Sequence, residues 1–181
     1  MPALSRVAAA LCFSVLFVGG ALHASWRDAL PQAQLMGGGE LRIFGFAIYD
    51  AQLWSVAQVP ADAVAMRAPF ALQLSYRRSI SRDDLVAASL KEIRRLALNA
   101  PDPAQLRRWE AEMQQAFVDV RAGDRITGVF LPGEGARFYV GERLQHVVAD
   151  EAFAKAFFSI WLDARTRNSG LRAQLLGSSA Q

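Results

Sequence analysis

An arginine and a tyrosine, Arg42 and Tyr49, lie within the apolar stretch 37–54, GGGELRIFGFAIYDAQLW. A guanidinium pairs bidentately with a carboxylate and a phenol adds a further hydrogen bond, so these two side chains can together hold an anion. The stretch is rich in β-branched and aromatic residues and fits no helical period, which predicts one β-strand entered through a flexible glycine turn. The role of two polar side chains in an apolar strand is the central question that the sequence poses.

The spacing of Arg42 and Tyr49 leaves two interpretations open. Seven residues apart on a regular strand, the side chains point to opposite faces and converge only if a bulge, expected at Gly45, resets the alternation. With the bulge, both side chains can face one ligand. Without it, Arg42 pairs with a surface acid and Tyr49 covers the core with its hydroxyl in water.

The residue types present after position 24 argue against metal binding and nucleophilic catalysis. That part of the chain has no cysteine and one histidine, His146, so a thiol nucleophile, a disulfide or a zinc site lacks its ligands. A serine triad would need His146, which lies in a strand-like run, and the sequence has no G-x-S-x-G elbow. We therefore predict no metal ion, no cofactor and no catalytic triad.

The charge pattern of the chain argues against nucleic acid as a partner. The sequence has 20 basic and 17 acidic residues, which gives a net charge of +3. Basic residues between Arg77 and Arg108 are interleaved with acids and form no single basic face. We expect them on solvated helix surfaces.

Residues 1–24 have the features of a secretory signal peptide. A short basic start that contains Arg6 precedes an apolar run over 7–22, and Ala24 is the small residue that signal peptidase needs. The predicted product is periplasmic or secreted and has no stable membrane span once the leader is removed. An uncleaved membrane anchor is the alternative, although the run is short and interrupted by Gly19 and Gly20.

The remaining chain predicts one domain over 25–177 with a frayed tail at 178–181. A polar lead-in comes first, and an irregular connection joins the first two strands. The predicted elements are strands at 37–54 and 70–76, helices from Ser81 and Pro103, strands at 125–131, 137–140 and 143–148, a helix capped by Asp150 and a short helix through Leu171. Antiparallel strands with helices on one face make an α+β arrangement, and the gap between the two layers is a natural apolar pocket.

Four segments of this chain resemble the chalcone isomerase-like family, specifically its bacterial exported branch. They cover nearly all of the chain after residue 24 and read GGGELRIFGFAIYDAQLW, FALQLSYRRSISRDDLVAASLKEIRR, VRAGDRITGVFLPGEGARFYVGE and FAKAFFSIWLDARTRNSGLRAQLLG. The resemblance implies an open-faced β-sandwich, in which a large antiparallel sheet is covered on one face by a helical layer. It also implies a ligand cleft between the sheet and the helices.

The resemblance does not extend to the catalytic set of the plant enzymes. Those enzymes close a chalcone's phenolate onto its enone with the help of a cationic arginine and several hydroxyls. Arg42 resembles the arginine, whereas Tyr49 stands where the plant enzymes have a strand threonine. Their helix tyrosine, helix asparagine and late hydroxyl residue fall, in order, near Ser81, Ala88 and Ile160, or Ser159 in a shifted register. We therefore expect no chalcone isomerase activity.

Fatty-acid-binding relatives in the same superfamily hold a carboxylate with an arginine and a tyrosine, and Arg42 and Tyr49 are similar in kind. The resemblance thus implies an exported, non-catalytic protein that binds a small hydrophobic or amphipathic anionic ligand, fatty-acid-like, between sheet and helices. Tyr76, Arg77 and Arg78, at a strand end near the expected cleft rim, are weaker ligand-binding candidates.

Two other functions stay open at this point. The first is an isomerase or lyase that acts on an enone-type small molecule, with Arg42 as the electrostatic group and Tyr49 as the proton donor. The second is an envelope protein-interaction module whose apolar surface meets a protein partner of unknown identity.

Overall fold

The computed structural model describes residues 25–57, 66–99 and 101–177. A six-stranded antiparallel sheet, whose strand order in space is the order in the sequence, forms its centre. The strands are β1 (Gln34–Ile43), β2 (Phe46–Ser55), β3 (Phe70–Tyr76), β4 (Arg125–Leu131), β5 (Gly135–Val140) and β6 (Arg143–Val148). The helices are α1 (Trp26–Ala29), α2 (Arg82–Leu96), α3 (Pro103–Ala116), α4 (Glu151–Leu162) and α5 (Ser169–Leu175). The predicted α+β class, a large antiparallel sheet with a helical layer, is confirmed.

The stretch 37–54 is a hairpin of two strands, so the prediction of one strand is wrong. Phe44 and Gly45 connect β1 to β2 with φ angles of 49° and 82°, the left-handed conformation that a two-residue hairpin turn requires. The hairpin has two register irregularities, and the one between Arg42 and Tyr49 lies between the Leu41–Tyr49 pair and the next pair, not at Gly45. The sequence does not predict this turn, because Phe-Gly lacks the usual Asn-Gly or Asp-Gly signal.

The glycines at 37–39 lie inside β1, although the sequence predicts them in a turn. A Cβ atom on Gly37 would lie 2.0 Å from the backbone oxygen of Gln174 in α5. No side chain can be placed that close to a backbone atom, so glycine at this position allows α5 to pack directly on β1.

The helical layer is anchored by the caps that the sequence predicts. The Ser81 side chain accepts a hydrogen bond from the Asp84 N–H over 3.1 Å, and Asp150 accepts one from the Phe153 N–H over 2.9 Å. Pro103 is the first residue of α3, where its missing N–H costs nothing. The core beneath these helices contains many aromatic rings, which include Phe117, Phe130, Phe138, Phe153, Phe157 and Phe158.

The opposite face of the sheet, here called the open face, is partly covered by α1. The sequence predicts only a lead-in at this place, but Ser25 caps a short helix whose Trp26 is fully buried. Tyr139 of β5 packs in this second cluster and is 2% exposed. For the same reason both faces of β3 are buried along most of its length.

Several predictions fall on residues that the structure does not describe. These are the signal peptide at 1–24, the tail at 178–181 and most of the connection between β2 and β3. Within the described ranges, none of the helices has the length and apolar character to cross a membrane.

Candidate ligand-binding cavity

A cavity of about 650 Å³ lies between the sheet and the helices α2 and α4. Small-molecule sites have volumes of roughly 300–1,000 Å³, so this cavity can accept a ligand of ordinary size. Its walls are mainly apolar and include Leu41, Ile48, Leu72, Leu74, Phe138 and Phe158. The gap between the two layers is therefore a pocket, as the element order predicts.

Three polar aromatic side chains lie together in the cavity wall: Tyr49 on β2, Tyr76 on β3 and Trp161 on α4. Tyr49 and Tyr76 are cross-strand partners whose rings meet edge to face, with centroids 6.0 Å apart. The indole N–H of Trp161 donates to the Tyr49 hydroxyl oxygen over 2.9 Å. Since a hydroxyl can accept and donate at once, the Tyr49 O–H remains available to donate to a ligand.

The two phenols are neutral donors near neutral pH. Burial raises the pKa of Tyr49 to about 12, and the hydrogen bond from Trp161 offsets part of that rise. Burial, followed by the effect of the neighbouring Tyr49, raises the pKa of Tyr76 as well. Neither tyrosine therefore supplies a negative charge that would repel an anionic ligand.

Charged side chains surround the opening of the cavity. Arg78, Lys91 and Arg167 are exposed and line it. Arg167 is committed to Glu92, with 2.9 Å between its Nε and the carboxylate oxygen. Arg78 forms no ion pair within the described part of the chain, and it follows Tyr76 by only two residues. An unpaired cation thus lies at the tyrosine end of the cavity.

Arg42 lies outside the cavity lining. It stands between Leu41 and Ile43, which both line the cavity, so the alternation of β1 turns Arg42 to the open face. There its guanidinium pairs with Glu40 and donates to a backbone carbonyl over 2.9 Å. The structure does not bring Arg42 and Tyr49 together, and it matches the interpretation in which the arginine pairs with a surface acid.

Arg77 also lies on the open face, where it pairs with Asp50. Its Nε is 2.6 Å from the carboxylate, and Asp50 is in turn the cross-strand partner of Glu40. Two acids and two arginines therefore form a balanced charge cluster on this face. Of the predicted ligand residues, Tyr49, Tyr76 and Arg78 line the cavity, whereas ligand contact by Arg42 and Arg77 stays a prediction that this placement does not favour.

The positions that correspond to other catalytic groups of the plant enzymes present no free polar group to the cavity. Ala88 and Ile160 line it with aliphatic side chains. Ser81 is engaged in capping α2, and the Ser159 hydroxyl donates to the Lys155 carbonyl over 2.7 Å. The hydroxyl chemistry at these positions is thus absent or already satisfied.

The single histidine after residue 24 serves the packing of α3 on β6. His146 Nε2 lies 2.6 Å from the Glu112 carboxylate, and neither residue lines the cavity. Across residues 25–57, 66–99 and 101–177, no three His, Cys, Asp or Glu side chains are grouped in a way that could hold a metal ion.

The sheet, the helical layer and the cavity define an α+β protein with an internal apolar cavity. Over residues 27–177 the chain matches the family model described as chalcone isomerase-like. The protein therefore belongs to the chalcone isomerase-like family, as its sequence segments predict.

Among solved structures, the chain is similar to the crystal structure of a fatty-acid binding protein from Arabidopsis thaliana. The two structures superpose with a TM-score of 0.62 at 10% sequence identity, over 81% of this chain and 87% of the plant protein. At that identity the similarity establishes a shared fold. A search of curated proteins finds no match to this sequence.

One residue of the site, Trp161, is missing from the sequence-based candidates. A buried indole N–H needs a hydrogen-bond partner, and that need is a signal for a nearby hydroxyl. Arg78 is a weaker candidate beside Arg77 in the sequence, and the structure separates the two: Arg78 lines the cavity, whereas Arg77 pairs with Asp50 on the open face.

Proposed function

We propose that this protein binds a fatty-acid-like ligand, a small hydrophobic or amphipathic anion, in the cavity between sheet and helices without turnover. The observation that carries the proposal is an apolar cavity of about 650 Å³ with two neutral phenols at one end. The likeness to a plant fatty-acid binding protein supports the ligand class. The separation of Arg42 from Tyr49 removes support from the enone isomerase.

The ligand is proposed to lie with its anionic head at the tyrosine end and its apolar tail toward Phe138 and Phe158. Burying a carboxylate costs several kcal/mol unless it is paired, so the head needs both hydrogen-bond donors and a cation. Tyr49 and Tyr76 supply the donors. Arg78, which lines the opening and follows Tyr76 by two residues, supplies the cation that the sequence had led us to expect from Arg42.

The test of the cavity is a titration with cis-parinaric acid, a fluorescent fatty acid. Ala87 and Ala88 are both exposed positions of α2, but only Ala88 lines the cavity, so Ala87→Trp is a matched control for Ala88→Trp. A tryptophan at 88 adds bulk at the cavity wall, and we expect affinity to fall by at least roughly tenfold while Ala87→Trp binds like wild type. Absence of saturable binding by the wild type, or equal affinity of the two variants, would reject the proposal.

The position of the head is tested by comparing an acid with an alcohol. Arg78→Gln should weaken binding of palmitic acid, because the charge-assisted interaction is lost, and should leave binding of the uncharged palmityl alcohol unchanged. Arg42→Gln is the control on the open face, and we expect it to alter neither affinity. A loss confined to Arg42→Gln would return the head to the arginine that the sequence favours.

The proposal includes export to the periplasm or the medium. Its support is the composition of residues 1–24, a basic start followed by an apolar run and a small residue. Mass spectrometry of the protein from the envelope fraction should find Ser25 or a close neighbour as the first residue. Recovery of the protein with residues 1–24 still attached and embedded in membrane would favour the uncleaved anchor.

A further inference from the structure

Three large apolar side chains project into solvent at the turn between β1 and β2. Phe44 is 96% exposed, Phe46 is 65% exposed and Ile43 is 47% exposed. We call these three residues the apolar tip. Isolated apolar side chains are common on protein surfaces, but two phenylalanines and an isoleucine at the end of one projecting hairpin form a local patch that needs an explanation.

The residue at the end of the tip does not help the hairpin to fold. Phe44 has a φ of 49°, a conformation that favours glycine and asparagine and disfavours residues with bulky side chains. Its ring is exposed, so it contributes nothing to the core. A phenylalanine at this position is therefore unfavourable for the turn and unused by the packing of the chain itself.

A cation lies beside the tip. The Arg78 guanidinium is 5.7 Å from the centre of the Phe46 ring, within cation–π distance. The nearby Arg42 and Arg77 are neutralised by Glu40 and Asp50, so Arg78 leaves this end of the molecule with a surplus positive charge. Aromatic rings next to basic side chains are typical of groups that sit at the boundary between water and the apolar part of a bilayer.

The tip is also at the entrance of the cavity. Ile43 and Arg78 are both exposed and both line the cavity, so the cavity opens beside the tip. A surface that the tip touches would therefore face the opening.

We propose that the apolar tip inserts into the headgroup region of an anionic phospholipid bilayer and holds the cavity opening against it. Three side chains on a convex hairpin fall far short of the roughly 800 Å² per partner that a stable protein interface buries. Insertion into a lipid surface needs no complementary shape, and an anionic surface matches the unpaired Arg78. The docking is inferred from the apolar tip alone, whereas a role of this docking in ligand exchange rests on the proposed function.

Sedimentation with vesicles tests the docking. Residues 25–181 are used, because the apolar run at 7–22 would bind vesicles by itself and the sheet and its core lie within the described residues 25–177. We expect wild type to bind phosphatidylcholine vesicles that contain one quarter phosphatidylglycerol. Phe44→Asn should bind roughly tenfold more weakly, since about 1.4 kcal/mol of apolar contact corresponds to a factor of ten.

Two further variants separate the effect of the tip from other causes. Leu98 is 87% exposed and lies outside both the tip and the cavity lining, so Leu98→Asn is the matched control and should bind like wild type. Arg78→Gln should lower the preference for phosphatidylglycerol over pure phosphatidylcholine vesicles by about fivefold, the factor for about one kcal/mol per basic residue. Urea unfolding should show Phe44→Asn to be at least as stable as wild type, which excludes unfolding as the cause.

The outcomes distinguish this proposal from the one on ligand binding. Lack of wild-type binding to vesicles, undiminished binding by Phe44→Asn, or an equal loss in Leu98→Asn would overturn the docking. So would a self-association that Phe44→Asn abolishes in the absence of vesicle binding, because the tip would then meet a second copy. A cis-parinaric acid titration without vesicles reports on the cavity alone, and there Phe44→Asn should match wild type.

Discussion

A phenol enclosed in an apolar wall must be hydrogen-bonded or face a partner, because an unsatisfied buried hydroxyl costs about 1–3 kcal/mol. Tyr49 meets this requirement because its hydroxyl oxygen accepts a hydrogen bond from the Trp161 N–H, and its own O–H can still donate into the cavity. Tyr76 lies beside Tyr49 in the cavity wall, and its hydroxyl has no hydrogen-bond partner among the described residues. A ligand with an acceptor group at this end of the cavity would satisfy both hydroxyls.

The raised pKa of Tyr49 predicts a loss of stability at alkaline pH. The unfolded chain releases the Tyr49 proton near pH 10.0 and the folded protein near pH 12. The contribution of Tyr49 to the free energy of unfolding is therefore complete below pH 10 and disappears as pH rises toward 12. At about pH 11 the loss is about 1.4 kcal/mol relative to about pH 8. Urea unfolding at both pH values should show a smaller drop for Tyr49→Phe than for wild type. An equal drop in the two proteins would contradict the prediction.

At the scale of single residues, the sequence predicts which side chains belong to the site better than it predicts the face of the sheet to which they point. Tyr76 was predicted as a site residue from its place at a strand end and Tyr49 on chemical grounds, and both line the cavity. Arg42 was chosen on the same grounds and lies on the open face. The difference depends on whether one strand or a hairpin connects Arg42 to Tyr49, and residue types do not determine this.

The β1–β2 hairpin shows why elements can be misassigned when their turns lack the expected residues. Most strands and helices of this chain begin or end close to a glycine, a proline or a capping side chain, and their positions were predicted closely. The turn at Phe44 and Gly45 interrupts an apolar run without such a signal, so the run was interpreted as one strand. The glycines at 37–39 led to the opposite error. They suggest a turn, but they lie inside β1, where they permit α5 to approach the strand.

The contact between α5 and β1 predicts a large effect of a small substitution. Gly37→Ala places a Cβ 2.0 Å from the Gln174 oxygen, so α5 must move away from the sheet. We expect the free energy of unfolding to fall by about 1–3 kcal/mol, the usual cost of overpacking. Gly170→Ala, in the same helix, meets nothing within 4 Å and should raise stability by up to about 1 kcal/mol. Equal effects of the two substitutions in urea unfolding would show that α5 does not pack closely on β1.

At the scale of the whole molecule, the class of fold was predictable and the second face of the sheet was not. The order of strands and helices fixes an antiparallel sheet with helices on one side, and the family segments point to the same result. The short helix α1 is only four residues long, too short to give a helical period in the sequence. Its burial of Trp26 against Tyr139 was therefore missed, and with it the protection of β3 on two sides.

A ligand held between the sheet and the helices joins the two layers, so it should stabilise the entire domain. Any ligand that binds only the folded state raises the free energy of unfolding, by about 2.7 kcal/mol at a concentration of about 100 times its dissociation constant. For a domain of this size that gain corresponds to an increase in Tm of roughly 5–10 °C. Differential scanning calorimetry with palmitic acid should show such a rise for wild type and for Ala87→Trp. Ala88→Trp, with added bulk at the cavity wall, should show a much smaller rise, and a rise of equal size in that variant would place the fatty acid elsewhere on the protein.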